Sequence, residues 1–161
     1  MVVILFGVAG SGKTTIGCLL SRELGWKFYD TDDFHPISNV EKMKQGIPLS
    51  DEDRRPWLER VRELIRTSLA QRVNAVLACS ALKESYRQYL RIDDEVRFVF
   101  LKGEFGLIQE RLSGRRGHFM DPSLLRSQFD TLEEPKEGVV VVDVTSSPSA
   151  VVQTIRRSLG I

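Results

Sequence analysis

A glycine-rich segment close to the start of the chain combines residue types that bind phosphate. The segment fits the pattern G-x-x-x-x-G-K-[ST] and consists of Gly7, Val8, Ala9, Gly10, Ser11, Gly12, Lys13 and Thr14. Glycines let backbone N–H groups approach phosphate oxygens, and the lysine ammonium reaches the β- and γ-phosphates. The threonine hydroxyl suits Mg²⁺, a hard cation that prefers oxygen ligands. The motif predicts a site for a nucleoside triphosphate and Mg²⁺, rather than a glycine-rich turn that binds nothing.

A cluster of carboxylates follows the next predicted strand. Asp30, Asp32 and Asp33 surround Thr31. In an open α/β sheet ligands bind beyond the carboxyl ends of the strands, so these side chains are expected to face the phosphates. Asp30 is predicted to hold Mg²⁺ through water, and Asp32 to orient or deprotonate an attacking hydroxyl, with Asp33 as the second candidate. The alternative is an acidic surface loop that caps the next element.

Basic residues are concentrated in a glycine-containing stretch further along the chain. Arg111, Arg115, Arg116 and His118 fall in a predicted mobile lid of about residues 111–129. Phosphoryl transfer requires positive charge on the transferring group, and a closing lid excludes water. Arg111 and Arg115 are therefore predicted to contact the nucleotide and to act in catalysis. A solvated basic helix face is the alternative.

A second set of basic residues is a candidate for reading an anionic substrate. Arg54, Lys83 and Arg87 could converge on a carboxylate, since arginine matches that group with two parallel hydrogen bonds. His35 is placed to bind substrate hydroxyls or simply to order the turn at Pro36. Spacing alone leaves surface charges as the alternative for the three cations.

The hydrophobic pattern predicts the elements that position these residues. Short apolar runs indicate five buried strands, at residues 2–6, 27–30, 75–79, 97–101 and 139–142. Helical periodicity covers residues 13–24 and 149–159, and a long helix starts at Ser50, where Asp53 completes a capping-box pattern. Strands that alternate with helices predict an α/β fold with a parallel sheet and crossover helices.

Composition limits the classes of protein to consider. The chain has 161 residues, the size of one domain, and a formal net charge of +1, which argues against nucleic acid as a partner. The two cysteines, Cys18 and Cys79, lie in apolar runs and suggest a reducing compartment. No segment has the length of a membrane span, and a cytoplasmic location is expected.

Missing motifs narrow the enzyme class further. The chain has no N/T-K-x-D segment, which a guanine-specific GTPase requires, and no aspartate ends the third predicted strand. Asp143 ends the last strand and is interpreted as structural. The magnesium site is therefore assigned to Thr14 and Asp30, a pattern that suits a small-molecule kinase better than a motor ATPase.

The motifs taken together resemble the gluconate kinases of the P-loop, nucleoside-monophosphate-kinase-like group. The shared segments run from residue 7 to Thr15 and continue, in order, along nearly the whole chain. The most specific are H-P at 35–36, D-R-x-P-W-L at 53–58, C-S-A-L-K at 79–83 and G-H-F at 117–119.

The resemblance implies ATP and Mg²⁺ as cofactors, with D-gluconate converted to 6-phosphogluconate. It also implies a P-loop kinase fold with a five-stranded parallel sheet in a single domain over residues 1–161. A substrate-binding helical insertion of about residues 31–72, a lid that carries His118 as a substrate contact, and a homodimer are further implications.

One departure from the gluconate kinase pattern leaves alternatives open. Thr31 stands where that family usually has glycine, and the resulting Asp-Thr-Asp is found in shikimate kinases. Shikimate kinases have a Gly-Gly-Gly segment after the third strand, where this chain has residues 79–83. A kinase for shikimate or another small hydroxy acid, and a nucleotide-binding regulator without catalytic activity, remain the alternatives.

Overall fold

The fold is built around one parallel sheet of five strands. The computed structural model describes residues 1–114 and 123–161. The strands lie in the order β2-β3-β1-β4-β5, and all four pairings are parallel. Their bounds are Val2–Phe6 (β1), Lys27–Asp30 (β2), Ala75–Ala78 (β3), Val96–Lys102 (β4) and Val140–Asp143 (β5). The predicted fold class is confirmed, and each predicted strand is present to within one residue at either end.

Helices cover both faces of this sheet. Their bounds are Lys13–Leu24 (α1), Ile37–Lys44 (α2), Asp51–Ala70 (α3), Glu84–Leu90 (α4), Phe105–Ser113 (α5), Ser123–Thr131 (α6) and Pro148–Leu159 (α7). Alternate residues of β1 enter the two core layers, with Ile4 on the side of α3 and α4 and Leu5 on the side of α1 and α7. Burial on both faces explains why β1 is a continuous apolar run.

The segment between β2 and α3 is more regular than its polar sequence suggests. A 3-10 turn, Thr31–Phe34, follows β2 directly, and α2 comes next. The predicted capping box is confirmed: the Ser50 side chain accepts from the Asp53 N–H, and the Asp53 carboxylate accepts from the Ser50 N–H. Lys42 of α2 also binds the Asp53 carboxylate at 2.9 Å, so the cap of α3 is joined to the preceding helix.

Part of the predicted lid is helical. Arg111 lies in the last turn of α5, and α6 begins at Ser123. Arg115, Arg116 and His118 lie outside the described residues. Among the helices that are described, none is long and apolar enough to cross a lipid bilayer.

Arg87 has a different environment from the one expected for a substrate ligand. The residue is 1% exposed, and its guanidinium lies 4.7 Å from the Phe6 ring centroid. All five N–H donors of the guanidinium are engaged. They bond to the carbonyl oxygens of Ala81, Leu82 and Glu133 and to the Glu84 carboxylate. The predicted convergence of Arg87 with Arg54 and Lys83 on a substrate carboxylate is therefore corrected, because no donor is left for a ligand.

We predict that Arg87→Met lowers the free energy of unfolding by about 3–5 kcal/mol, because it leaves buried acceptors and a partly buried carboxylate without a donor. Chemical denaturation measures this loss. Arg157→Met, on the exposed side of α7, is the matched control and should change stability by less than about 0.5 kcal/mol. Unchanged stability together with weaker acceptor binding would restore Arg87 as a substrate ligand.

Candidate active site

The glycine-rich loop after β1 has the geometry of a phosphate cradle. Gly10 and Gly12 have φ angles of 78° and 96°, which L-amino acids with side chains rarely adopt. A Cβ atom at Gly10 would also lie 2.8 Å from the side chain of Leu112 on α5. The backbone N–H groups of Gly10, Gly12 and Thr14 have no acceptor within residues 1–114 and 123–161. Free N–H groups at the start of α1 form an anion site, so the loop fits a nucleotide phosphate.

Two polar side chains of this loop, those of Ser11 and Lys13, are buried or partly buried. Lys13 Nζ donates to the carbonyl oxygens of Gly7 at 3.0 Å and Val8 at 2.8 Å. Ser11 Oγ is buried and has no hydrogen-bond partner in the described part of the chain. A buried hydroxyl without a partner is costly, and one within a phosphate loop is consistent with a polar ligand that completes the loop.

Thr14 and Asp30 lie together, as the magnesium prediction requires. Thr14 Oγ1 donates to Asp30 Oδ2 at 2.9 Å, although the residues belong to α1 and β2. The residues with described positions contain no group of three His, Cys, Asp or Glu side chains that could hold a metal ion. One hydroxyl and one carboxylate oxygen at this distance fit Mg²⁺, which prefers oxygen ligands, keeps several waters and binds substrate phosphates.

Asp32 lies in a cleft on one side of the phosphate loop. We call this the acceptor cleft; its walls include Ala9, Lys13, Asp32, His35, Met43, Arg54, Trp57, Ser80, Leu124 and Gln128. The Asp32 side chain is 43% exposed, and that surface faces the cleft. Burial is the main cause that raises the pKa of Asp32 to about 6; Asp30 and Asp33 add to the increase, whereas Lys13 opposes it. A carboxylate with this pKa is ionised near neutral pH and still basic enough to accept a proton.

Thr31 and Trp57 anchor the acidic turn. The buried Thr31 hydroxyl donates to the carbonyl of Ala78 on β3 at 2.9 Å, and Trp57 Nε1 donates to the Thr31 carbonyl at 2.7 Å. Trp57 is 1% exposed and packs in the core between the sheet and α3. It also forms part of the cleft wall, so packing and hydrogen bonding by one side chain connect α3 to the turn that carries Asp32.

His35 is stacked on this tryptophan. The two ring centroids are 4.6 Å apart with an interplanar angle of 11°. Asn39 Nδ2 lies 3.2 Å from His35 Nδ1, and Asp32 Oδ1 lies 4.0 Å from His35 Nε2. Burial, followed by the positive charge of Arg54, lowers the pKa of His35 to about 4. The imidazole is therefore neutral at physiological pH and can act as a hydrogen-bond partner for substrate.

Arg54 is held at the edge of the acceptor cleft by a chain of polar contacts. Arg54 Nη1 donates to the Tyr86 hydroxyl at 3.2 Å, and that hydroxyl donates to Asp51 Oδ1. Lys83 Nζ binds the same Asp51 oxygen at 2.8 Å. Because Arg54 faces the cleft while Lys83 does not line it, only Arg54 has the position predicted for a residue that reads the substrate carboxylate.

A second cleft opens on the other side of the phosphate loop. Its walls include Gly10, Ser11, Gly12, Thr15, Arg111, Val144, Ser146 and Pro148. Arg111 Nη2 donates to the Val144 carbonyl at 2.7 Å, which holds the arginine beside the loop that follows β5. Asp143, at the end of β5, accepts from the Thr145 N–H and hydroxyl, as expected for a structural residue. The phosphate loop thus borders two clefts, and we call this second one the nucleotide side of the loop.

The structure brings together part of the predicted site. Lys13, Asp32, His35 and Arg54 share the acceptor cleft, whereas the exposed Asp33 does not line it. Arg115 and His118 lie outside the described residues, so their predicted roles rest on sequence alone.

Two residues had no role in the sequence-based site: Gln128, which lines the acceptor cleft, and Asn39, which contacts the cleft residue His35. Asn39 lies in the first turn of α2, whereas His35 precedes that helix, so helical spacing does not indicate their contact. Gln128 accepts from the Ala9 N–H at 2.7 Å across a separation of 119 residues, and no local pattern indicates this contact.

The lowered pKa of His35 predicts a pH-dependent contribution to stability. Between the folded pKa of about 4 and the unfolded value of 6.5 the unfolded chain binds more protons, so stability falls as pH falls through this window. Relative to His35→Gln, the unmodified protein should lose roughly 3 kcal/mol of unfolding free energy between pH 7 and pH 4. Urea titrations of both proteins at several pH values measure the difference, and parallel stability curves would contradict the prediction.

The chain is similar over its full length to known kinases. A shikimate kinase family model matches residues 9–159. A gluconokinase from Arabidopsis thaliana is 44% identical, and the match covers 96% of this chain and 89% of the relative. The thermosensitive gluconokinase of Escherichia coli is 42% identical, with 97% and 86% covered.

A solved structure shows the same similarity in three dimensions. A gluconokinase from Sinorhizobium meliloti superimposes with a TM-score of 0.87 at 41% identity, and the match covers 98% of this chain and 90% of that one. The motifs that suggested gluconate kinases are thus supported by full-length similarity in both sequence and fold. The chain belongs to the gluconokinase family, within the P-loop kinases that the shikimate kinase model describes.

Proposed function

We propose that the protein transfers the γ-phosphoryl group of ATP to the terminal hydroxyl of D-gluconate, which gives ADP and 6-phosphogluconate. One observation carries the proposal: Lys13, Asp32, His35 and Arg54 line one cleft that borders the phosphate loop. The cleft offers a base for a hydroxyl and a guanidinium for a carboxylate, which match the two ends of an acidic polyol. Full-length relatives that are gluconokinases support the same substrate.

The phosphate loop binds and orients the nucleotide. Its backbone N–H groups and the N-terminus of α1 attract the phosphates, and Lys13 leaves the Gly7 and Val8 carbonyls to contact the β- and γ-phosphates. Arg111, on the opposite side of the loop, adds positive charge beside the nucleotide. We propose that Arg115 and His118 close over the reactants.

Thr14 and Asp30 would hold Mg²⁺, Asp30 through a water molecule. When bound, this ion neutralises charge on the phosphates of ATP. The hydrogen bond from Thr14 to Asp30 keeps both oxygens at the same edge of the sheet before any ligand arrives. The site therefore needs little rearrangement of the protein to accept a nucleotide with its cation.

Asp32 accepts the proton of the substrate hydroxyl as that oxygen attacks the γ-phosphorus. Support for this role comes from the position of Asp32 in the acceptor cleft, whose wall also includes Lys13 of the phosphate loop. Arg54, in the wall of the same cleft, binds the substrate carboxylate, and His35 binds a substrate hydroxyl. Lys83 contributes by holding Asp51, which positions Arg54 through Tyr86. Asp33, which is exposed and does not line the cleft, has no part in this step.

We also propose that two segments of the domain contact the reactants and that the protein acts as a dimer. Residues 31–72 form the substrate-binding insertion, and residues 111–129 form the lid, within one domain of a cytoplasmic homodimer. Support for the dimer and the location comes from the family resemblance. Light scattering of the purified protein tests the dimer directly.

Shikimate is the second candidate acceptor. The shikimate kinase model matches the chain, and Asp30-Thr31-Asp32 is the triplet expected of those enzymes. We predict ADP release from MgATP with gluconate, and none above background with shikimate, glucose or nucleoside monophosphates. A coupled assay of ADP release with this panel of acceptors shows which one is phosphorylated. Activity with shikimate alone would replace the proposed substrate, and binding of ATP without turnover on any acceptor would favour a regulator.

Substitution of Asp32 tests whether its carboxylate accepts the hydroxyl proton. Asp32→Asn keeps the shape of the side chain but cannot accept the proton, so turnover with gluconate should fall by about 10²–10⁴-fold while ATP binding is retained. Asp33→Asn is the matched control and should lose less than about tenfold. Steady-state kinetics and nucleotide titration measure the two effects. Near-normal turnover by Asp32→Asn would show that another group, or none, serves as the base.

A further inference from the structure

Asn39 has a buried side chain whose NH₂ group has two hydrogen-bond partners. The residue is 2% exposed, although it lies in the first turn of α2. Its Nδ2 atom donates to the Asp53 carbonyl at 2.7 Å and lies 3.2 Å from His35 Nδ1. One NH₂ group thus contacts both the backbone of α3 and the imidazole in the acceptor cleft.

The Asp53 carbonyl determines which way the Asn39 amide faces. A carbonyl oxygen can only accept, so the amide NH₂, and not Oδ1, must face it. The second hydrogen of the same NH₂ then points to His35, and Nδ1 must be the acceptor of that bond. A neutral imidazole carries one proton, which leaves it on Nε2.

Packing keeps the ring in this orientation. The His35 side chain is 4% exposed and stacks on Trp57, so a ring flip would require both rings to separate. A flip would also place a carbon atom against the Asn39 donor. The positive charge of Arg54 and burial both disfavour a second proton on the ring. The cleft therefore receives the N–H edge of a neutral imidazole.

We propose that Asn39 is a positioning residue that holds His35 as its Nε2–H tautomer, and that this tautomer makes His35 a hydrogen-bond donor to the acceptor hydroxyl. His35 Nε2 and Asp32 Oδ1 are 4.0 Å apart, so one oxygen atom fits between them at about 2.8 Å from each. A hydroxyl in that position accepts from His35 and donates its proton to Asp32. The hydroxyl part of this inference rests on the proposed function.

His35 and Asp32 together set the direction of the hydroxyl proton before the reaction begins. Because His35 can only donate and ionised Asp32 can only accept, the hydroxyl has a single hydrogen-bonding arrangement between them. Its remaining lone pair is left for attack, and its proton already faces the base. Without Asn39, the opposite tautomer would present a second acceptor beside Asp32, and the hydroxyl could bond to either group.

NMR spectroscopy of the ring nitrogens tests the tautomer without any assay of activity. The chain has two histidines, so His118→Gln assigns the His35 signals in long-range ¹H–¹⁵N correlation spectra. At neutral pH we expect a protonated Nε2 and an unprotonated Nδ1. Asn39→Asp, which offers only acceptors, should move the proton to Nδ1, and Asn39→Leu should give averaged signals from both tautomers. Asn74→Leu replaces the chain's other asparagine and should leave the His35 signals unchanged.

Kinetics links the tautomer to the reaction. Turnover with gluconate should fall by about 10²-fold in Asn39→Asp, as for other misplacements of a reacting group, while ATP binding is retained. An Nδ1–H tautomer in the unmodified protein, or an unchanged Nε2–H signal in both Asn39 variants, overturns the inference. If the tautomer is as expected but gluconate is not phosphorylated, the positioning of His35 by Asn39 stands and the proposed function fails.

Discussion

The hydrogen bond from Trp57 Nε1 to the Thr31 carbonyl joins α3 to the acidic turn, and the arrangement of the acceptor cleft depends on it. Thr31 is bound at the same time to Ala78 of the sheet. The acidic turn therefore cannot move relative to β3 or α3 without breaking a buried hydrogen bond, which costs about 1–3 kcal/mol for the unpaired group. Both Asp32 and Arg54 take their positions from this junction.

The phosphate loop divides the site into two compartments with different electrostatics. On the nucleotide side, free N–H groups, the α1 N-terminus and Arg111 present positive potential to an anion. On the acceptor side, Lys13 and Arg54 are balanced by Asp32, and His35 stays neutral. A third cation in place of the neutral ring would stabilise the ionised Asp32 and weaken it as a base. The low pKa of His35 thus protects the basicity of its neighbour.

The positively charged side chains near the acceptor cleft have different structural roles. Arg54 faces the cleft, Lys83 binds Asp51 at the surface, and Arg87 supports the backbone behind the cleft. Their spacing in the sequence is compatible with a single anion site. In the structure they differ in burial, so they lie in three different environments. Arginine is suited to the buried position because its planar group satisfies several carbonyl oxygens at once, whereas lysine remains better hydrated at the surface.

Local sequence patterns were sufficient to predict the fold and part of the site. The apolar run of β1, the glycine and lysine spacing of the phosphate loop, and the capping box at Ser50 each depend on neighbouring residues, so the chain itself determines them. The proximity of Thr14 to Asp30 also followed, because parallel strands end at the same edge of a sheet. Only the tertiary structure decided the burial of Arg87, the contact of Gln128 with Ala9, and the orientation of His35 through Asn39 and the Asp53 carbonyl. These depend on how helices pack across the sheet, which sets burial and pairs polar groups from distant parts of the chain.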